Sequence, residues 1–202
     1  MAVSFDLFGT LVAVDRPADP AVAVGRELDA LGVALPEDWT AAYRTPQVDV
    51  PDGAEVSLVA HVRAIIGEET DERTIERALL RAFDTDVRTR TGAGRAVSAA
   101  AARGPVGVLS NCSVPGLVAR TLDRSALDPR RFDAVVSSVD VGWRKPHPRA
   151  FEAAADRLGV DVGELLHVGD DPRTDGGASG AGARSILLGS VPLADLPDHL
   201  DG

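Results

Sequence analysis

From residue 92 onwards, short apolar runs alternate with longer stretches that have the composition of helices. The apolar runs occupy residues 106–109, 134–137, 165–168 and 185–188, and the segments between them include a Gly/Ala-rich stretch after Thr174. Near-continuous apolar runs of this length are typical of strands buried on both faces of a parallel sheet. The regular alternation of strand and helix predicts an α/β fold with a doubly wound parallel sheet.

The N terminus adds a further apolar run to this pattern. Residues 2–5, of which only Ser4 is polar, and Leu7 form this run, and Asp6 lies near its end, before the chain turns at Gly9 towards Thr10. This arrangement is typical of a carboxylate presented at the tip of a buried strand, where it serves as a nucleophile. We therefore predict that Asp6 is catalytic and that Thr10 helps to bind the substrate.

Residues 15–88 interrupt the alternation with a helical block. Asp19 as the N-cap, Pro20 at the first helical position and Gly32 just beyond the end frame the first helix of this block. Further helices are predicted after Pro36 and over residues 56–66 and 75–83. We find no convincing strand in the block.

These patterns predict two units in a chain of 202 residues, a length that suits one α/β domain with an insertion. Residues 1–14 and 89–202 form the Rossmann-like core. Residues 15–88 form a helical cap that is inserted after the first strand and lies over the sheet.

The composition excludes several functional classes. Acidic residues outnumber basic ones by 31 to 21, which gives a net charge of −10, and the basic residues form no block. We therefore expect no nucleic-acid partner, and no membrane association, because no apolar stretch approaches the roughly 20 residues that cross a bilayer. The single cysteine, Cys112, forms no internal disulfide, which predicts a cytoplasmic location.

Polar side chains cluster where the predicted strands end. Ligands bind at the carboxyl ends of the strands in an open parallel sheet, so we expect these clusters to converge on one pocket. The clustered residues are Asp6, Thr10, Ser110, Asn111, Lys145, Asp170, Asp171 and Asp175.

Lys145 is the only lysine among the 21 cationic residues of the chain. Arginine carries a rigid planar fork and lysine a compact point charge, so the two are not interchangeable beside a small anion. Because arginine serves at every other cationic position, we predict that Lys145 is catalytic and that its ammonium group faces Asp6.

These motifs, in this order, resemble those of the haloacid dehalogenase-like hydrolase superfamily, with a helical cap of the first type. The resemblance covers essentially the whole chain. It implies that Asp6 attacks a small anionic substrate and becomes covalently modified. It also implies that Ser110 and Lys145 hold the transferred group, and we place Asn111 with Ser110 among the substrate-binding residues. Whether the protein is a monomer or a dimer stays open.

The acidic cluster implies a metal. In this superfamily, residues matching Asp170 and Asp175 build or support a Mg²⁺ site. Mg²⁺ takes oxygen ligands and keeps several waters, so one or two carboxylates and a main-chain carbonyl suffice. We predict Asp6, Asp170 and the backbone carbonyl of Phe8 as ligands, with Asp175 and Asp171 as supporting carboxylates.

Phe8 departs from the pattern of the superfamily's phosphatases. Most of them carry a second aspartate two residues after the nucleophile, as general acid and base, and Phe8 occupies that position. A positioned proton donor typically contributes about 10²- to 10⁴-fold. The prediction is therefore a Mg²⁺-dependent phosphatase of a small phosphorylated metabolite that turns over alkyl phosphates slowly.

A metal-independent 2-haloacid dehalogenase is an alternative. Phe8 and the pair at 110–111 resemble the dehalogenase branch, and a halide leaves without a proton. In that reading, Arg44 or Arg16 would grip the carboxylate and the departing halide.

The fourth motif argues against the dehalogenase. Dehalogenases have Ser and Asn where this chain has Asp170 and Pro172, and clustered carboxylates repel one another without a cation. An alternative from another class is a binding or regulatory module that keeps the fold without catalysis.

The histidines show no spacing typical of a metal pair, and we interpret them as structural or exposed. They are His61, His147, His167 and His199. Cys112 is interpreted as a small buried residue.

Overall fold

The computed structural model describes residues 1–200, and its centre is a sheet of five parallel strands. In spatial order the strands are β5 (Ala134–Ser137), β4 (Val106–Ser110), β1 (Ala2–Phe5), β6 (Leu165–Gly169) and β7 (Arg184–Leu187). The predicted α/β class and the parallel sheet are confirmed.

The central strand β1 lies between β4 and β6, and every residue of these three strands is buried. Phe5 at the end of β1 pairs with Val108 on one side and with Val168 on the other. The strand order changes direction at β1, and ligands bind outside the carboxyl ends of the strands at such a point. The residues that follow these three strands are therefore the ones that the fold brings together.

Helices pack on the sheet in two apolar clusters. One cluster contains Ala96 and Val97, and the other contains Phe151 and Ala154. The helices that follow β3 (Val87–Thr89) are α5 (Ala93–Ala101), α6 (Leu117–Asp123), α7 (Ser138–Val141) and α8 (Pro148–Leu158). Short 3-10 helices lie at Pro129–Arg131, Val162–Glu164, Asp175–Ala181 and Leu196–His199.

The Gly/Ala-rich stretch after Thr174 forms a 3-10 helix, Asp175–Ala181, where the sequence predicted a helix without specifying the tighter winding. An added Cβ at Gly177 would lie 2.4 Å from the Cβ of Pro146, so this position has no room for a side chain. The segment thus packs directly against the residue that follows Lys145.

Four helices lie between β2 (Val12–Val14) and β3, and we call this segment the helical insertion. They are α1 (Pro20–Ala30), α2 (Trp39–Arg44), α3 (Leu58–Ile66) and α4 (Glu72–Ala82). The predicted frame of α1 is confirmed, because the Asp19 carboxylate accepts hydrogen bonds from the amides of Ala21 and Val22 and Gly32 has a φ of 79°. The exact division into core and cap stays a prediction.

The prediction that residues 15–88 contain no strand was wrong at one end. A two-stranded antiparallel ribbon joins the insertion to the sheet, formed by β2 (Val12–Val14) and β3 (Val87–Thr89). Strands of three residues are too short to show a period in the sequence, and their pairing depends on residues more than 70 positions apart.

A second connection holds the insertion against the carboxyl edge of the sheet. The amide of Glu55 donates to the carbonyl of Gly142 at 2.9 Å, and its carboxylate accepts from the hydroxyls of Ser113 at 2.8 Å and Ser138 at 2.5 Å. Because Ser113 and Ser138 follow β4 and β5, this contact places the insertion above the strand ends.

Within residues 1–200, no helix has both the length and the apolar character that crossing a bilayer requires.

Candidate active site

Asp6 leaves the end of β1 and lies in the crevice between the ends of β4 and β6. Its amide donates to the carbonyl of Val168 at 2.8 Å, and only 7% of the residue is exposed. The chain then turns at Gly9, whose φ is 97°. An added Cβ at Gly9 would lie 2.5 Å from a carboxylate oxygen of Asp170, so glycine is required both for the turn and for this close approach.

Lys145 faces Asp6, as predicted from its status as the only lysine. Its Nζ donates to Oδ1 of Asp6 at 2.9 Å, to Oδ1 of Asp175 at 2.6 Å and to the carbonyl of Leu109 at 2.8 Å. The residue is 2% exposed. An ammonium group has three donors on one atom, and here all three are used, which the planar fork of arginine would not reproduce.

The residues after β4 support this pair in two ways. The Ser110 hydroxyl donates to Oδ1 of Asp6 at 3.2 Å. The side-chain amide of Asn111 donates to the carbonyl of Lys145 and accepts from its amide, both at 2.8 Å. Asn111 therefore positions the backbone of Lys145, and its predicted contact with the substrate stays a prediction.

The acidic residues after β6 have three different environments. Asp170 is exposed and accepts a hydrogen bond from the buried hydroxyl of Thr10 at 3.0 Å. Asp175 is buried and accepts from Lys145. Asp171 instead pairs with Arg173 at 2.9 Å, so its carboxylate is directed to a surface arginine. Thr10 therefore holds Asp170, and its predicted role in substrate binding is untested.

His167 belongs to this site, although its spacing from the other histidines is not typical of a metal pair. It is fully buried, its Nδ1 lies 2.8 Å from the Ser4 hydroxyl, and its Nε2 lies 3.0 Å from Oδ1 of Asp175. Since a carboxylate only accepts, Nε2 carries the proton and Nδ1 accepts from Ser4. Burial, reinforced by the charge of Lys145, lowers the pKa of His167 to about 4. The feature of the sequence that could have identified His167 as a buried residue of the site is its position inside an otherwise apolar strand.

The pKa values of the two buried carboxyl groups, Asp6 and Asp175, are shifted in opposite directions. Burial raises the pKa of Asp6, Lys145 opposes that shift, and the negative charges of Asp175 and Asp170 add to it. Burial also pushes the pKa of Asp175 upwards, but the hydrogen bond from His167 and the charge of Lys145 outweigh it and hold that pKa well below its usual range. Three carboxylates thus share one ammonium group.

The three carboxylates fit a divalent cation. Oxygens of Asp6, Asp170 and Asp175 all lie within 4.8 Å of one another. Mg²⁺ prefers such oxygen ligands and supplies the missing positive charge. Asp175 already accepts hydrogen bonds on both oxygens, from Lys145 and from the amide of Asp171 at 3.0 Å, so Asp6 and Asp170 are the better ligands.

A polar cavity of about 290 Å³ opens over these groups. Asp6, Lys145 and Asp170 form its floor, and Arg16 lies on its wall. Of the two arginines considered for gripping an anion, Arg44 instead pairs with Asp19 at 2.6 Å on the insertion, whereas Arg16 borders the cavity.

With this geometry in place, the comparison with known proteins identifies the class. The sequence pattern of the haloacid dehalogenase-like hydrolase family matches residues 1–182. The chain therefore belongs to that family, as its motifs predicted.

Known relatives of this chain carry two different activities in their names. It is 29% identical to (S)-2-haloacid dehalogenase 4A of Burkholderia cepacia over 93% of this chain and 82% of the relative. It is also 29% identical to a phosphoglycolate phosphatase of Cereibacter sphaeroides, over 98% of this chain and 90% of that protein. The crystal structure of a 2-haloacid dehalogenase from Pseudomonas syringae shares the fold, with a TM-score of 0.63, 22% identity and coverage of 99% and 97% of the two chains. Overall similarity therefore favours neither activity.

Proposed function

We propose that this protein is a Mg²⁺-dependent phosphatase that transfers the phosphoryl group of a small phosphorylated metabolite first to Asp6 and then to water. The observation that carries the proposal is the group of three carboxylates, Asp6, Asp170 and Asp175, with Lys145 as the one ammonium group among them. A metal-independent dehalogenase would have to bind an anionic haloacid beside this uncompensated negative charge.

The Asp6 carboxylate attacks phosphorus. Its Oδ1 accepts hydrogen bonds from Lys145 and Ser110, so both donors lie beside the attacking group. The Lys145 ammonium and the Ser110 hydroxyl are then adjacent to the phosphoryl oxygens and stabilise the charge on them. Asn111 keeps the backbone of Lys145 in place during the transfer.

Asp6 and Asp170 would hold the Mg²⁺ ion, together with the predicted carbonyl ligand from Phe8. The ion supplies positive charge that neutralises the phosphate dianion against an anionic nucleophile. Thr10 orients Asp170 by donating to its Oδ1.

Phe8 limits the chemistry to particular leaving groups. No proton donor stands at this position, so the leaving oxygen departs as an anion. Alkyl phosphates are therefore slow substrates, because removing a positioned acid costs about 10²- to 10⁴-fold.

The test measures phosphate release from acetyl phosphate and p-nitrophenyl phosphate, with Mg²⁺ and with EDTA. We expect Mg²⁺-dependent turnover that Asp6→Asn abolishes. Asp170→Asn should weaken the Mg²⁺ dependence strongly, whereas the matched control Asp171→Asn, which alters a surface ion pair, should not. Turnover that persists in EDTA would contradict the metal assignment.

A 2-haloacid dehalogenase is the second candidate, favoured by the aromatic residue at Phe8 and by Arg16 on the wall of the cavity. Chloride release from 2-chloropropionate in EDTA tests it in the same samples. If chloride is released and phosphate is not, the phosphatase proposal is wrong. If well-folded protein releases neither, a binding role is the better reading.

A further inference from the structure

A second and larger cavity, of about 440 Å³, lies between the helical insertion and the sheet. We call it the apolar cavity, because mainly apolar side chains line it. From the insertion and its ribbon these include Val14, Leu58 and Phe83, and from the core they include Val114 and Leu117. Ligand cavities usually have volumes of about 300–1,000 Å³ and mostly apolar walls, so this one has the size and character of a binding site.

The apolar cavity adjoins the catalytic pocket. Phe8, Arg16 and Asn111 line both. A leaving group that extends beyond Phe8 from an anion bound at Asp6 would therefore lie in the apolar cavity.

Four charged residues line the apolar cavity: Asp84, Arg120, Arg124 and Arg16, and Arg16 also borders the catalytic pocket. Asp84 at its edge is paired with Arg120 at 2.7 Å and with Arg124. Burial raises the pKa of the Tyr43 phenol to about 12, so that group stays neutral. Because most of the lining residues are apolar, the cavity suits a leaving group that is itself mainly apolar.

The absence of a proton donor at position 8 also favours a particular leaving group, one that is stable as an anion. A phenol ionises near a pKa of about 10, while water, a hydroxyl compound without such stabilisation, has a pKa of about 15.7. An aryl oxide therefore leaves as an anion far more readily than an unactivated hydroxyl compound. Phe8 supplies no proton, but its ring gives an aromatic leaving group a surface to pack on.

We infer that the substrates are phosphate monoesters of apolar phenols, whose aromatic ring lies in the apolar cavity. This inference rests on the proposed phosphatase function. Asp6 forms a bond to phosphorus while the bond from phosphorus to the aryl oxygen breaks. The aryl oxide leaves and takes a proton from water. A water molecule then cleaves the acyl phosphate, which restores the Asp6 carboxylate and releases inorganic phosphate, so that one water is consumed per ester.

The experiment compares kcat/KM for acetyl phosphate, phenyl phosphate and 1-naphthyl phosphate. The first has a good leaving group without a ring, so it reports the phosphatase function alone. The second aromatic ring of the naphthyl ester should raise kcat/KM by about tenfold over the phenyl ester, from the apolar area that it buries.

A pair of matched variants locates the effect. Val87→Trp fills part of the apolar cavity from β3 and should lower the naphthyl-to-acetyl ratio of kcat/KM by about tenfold. Val22→Trp makes the same change on α1, where 57% of the residue is exposed, and should leave that ratio unchanged. Calorimetry on the unmodified protein tests the same inference without a variant. There, 1-naphthylmethylphosphonate should bind at least about tenfold more tightly than methylphosphonate, because its rings bury apolar area in the cavity.

The possible failures are distinguishable. Turnover of acetyl phosphate without any preference for the aryl esters, or a preference that Val87→Trp leaves intact, overturns the inference and leaves the phosphatase function standing. Absence of turnover with all three substrates overturns both the inference and the phosphatase function. Equal binding of the two phosphonates overturns the inference by itself.

Discussion

Replacing Lys145 by methionine removes the ammonium group and keeps an unbranched apolar side chain. Two buried carboxylates, those of Asp6 and Asp175, then lose their cationic partner, from which they are separated by 2.9 and 2.6 Å. Breaking a buried ion pair by removing one partner costs about 3–5 kcal/mol. For a domain of this size each kcal/mol corresponds to about 2–4 °C in Tm, so the melting temperature should fall by about 6–20 °C.

The loss should depend on pH. Without Lys145 the pKa of Asp6, which burial already raises, rises further, and the pKa of Asp175 moves up from its depressed value, so keeping both groups ionised in the folded state becomes less favourable. In the unmodified protein the depressed pKa of Asp175 has the opposite effect, contributing stability above the ordinary value that is lost in acid. The difference between variant and unmodified protein is therefore largest near neutral pH and shrinks in acid.

The assay is urea unfolding at a series of pH values in EDTA, which keeps bound metal from replacing the lost charge. Arg144→Met is the matched control, because it removes an exposed cation one residue earlier and should change the free energy of unfolding by no more than about 0.5 kcal/mol. A Lys145→Met variant within about 1 kcal/mol of the unmodified protein at neutral pH would refute the reasoning from buried charge.

Three further outcomes follow from the site. Phe8→Asp should raise kcat for alkyl phosphates by about 10²- to 10⁴-fold and change acetyl phosphate turnover much less; an equal gain on both would show that the residue does not act as a proton donor. His167→Phe keeps a ring in the core but removes both nitrogen atoms, and urea unfolding should show a loss of about 1–3 kcal/mol, whereas no loss would mean that the contacts with Ser4 and Asp175 are not stabilising. Burial raises the pKa of the Cys112 thiol from 9.0 to about 11, so iodoacetamide at pH 8 should alkylate it at least about 100-fold more slowly in folded than in urea-unfolded protein, and equal rates would contradict that pKa.

The sheet and its helices could be predicted because their signals are local. A strand buried on both faces is mainly apolar, so residues 106–109 and residues 165–168, which are apolar apart from His167, stand out in the sequence. Helix α1 is framed by Asp19 and Pro20, whose preferences act within one turn of chain. The ribbon β2–β3 was missed because three residues carry no period and their partners are remote in the sequence.

The position of Lys145 was predictable for a different reason, since a single lysine in an arginine-rich chain indicates a specific demand for an ammonium group. The position of His167 beside Asp175 was not, because it depends on how β1, β6 and the 3-10 helix pack. The pairing of Asp171 with Arg173 also shows why a run of acidic residues does not by itself reveal which carboxylates face the pocket.

The buried position of Lys145 has a practical consequence for labelling. It is the only side-chain amine of the sequence, and folding leaves 2% of it exposed. Amine-reactive reagents should therefore spare this side chain in folded molecules and acylate it once the molecule opens. The mass of the peptide containing Lys145 then counts opened molecules in a mixture, without a dye or an engineered tag.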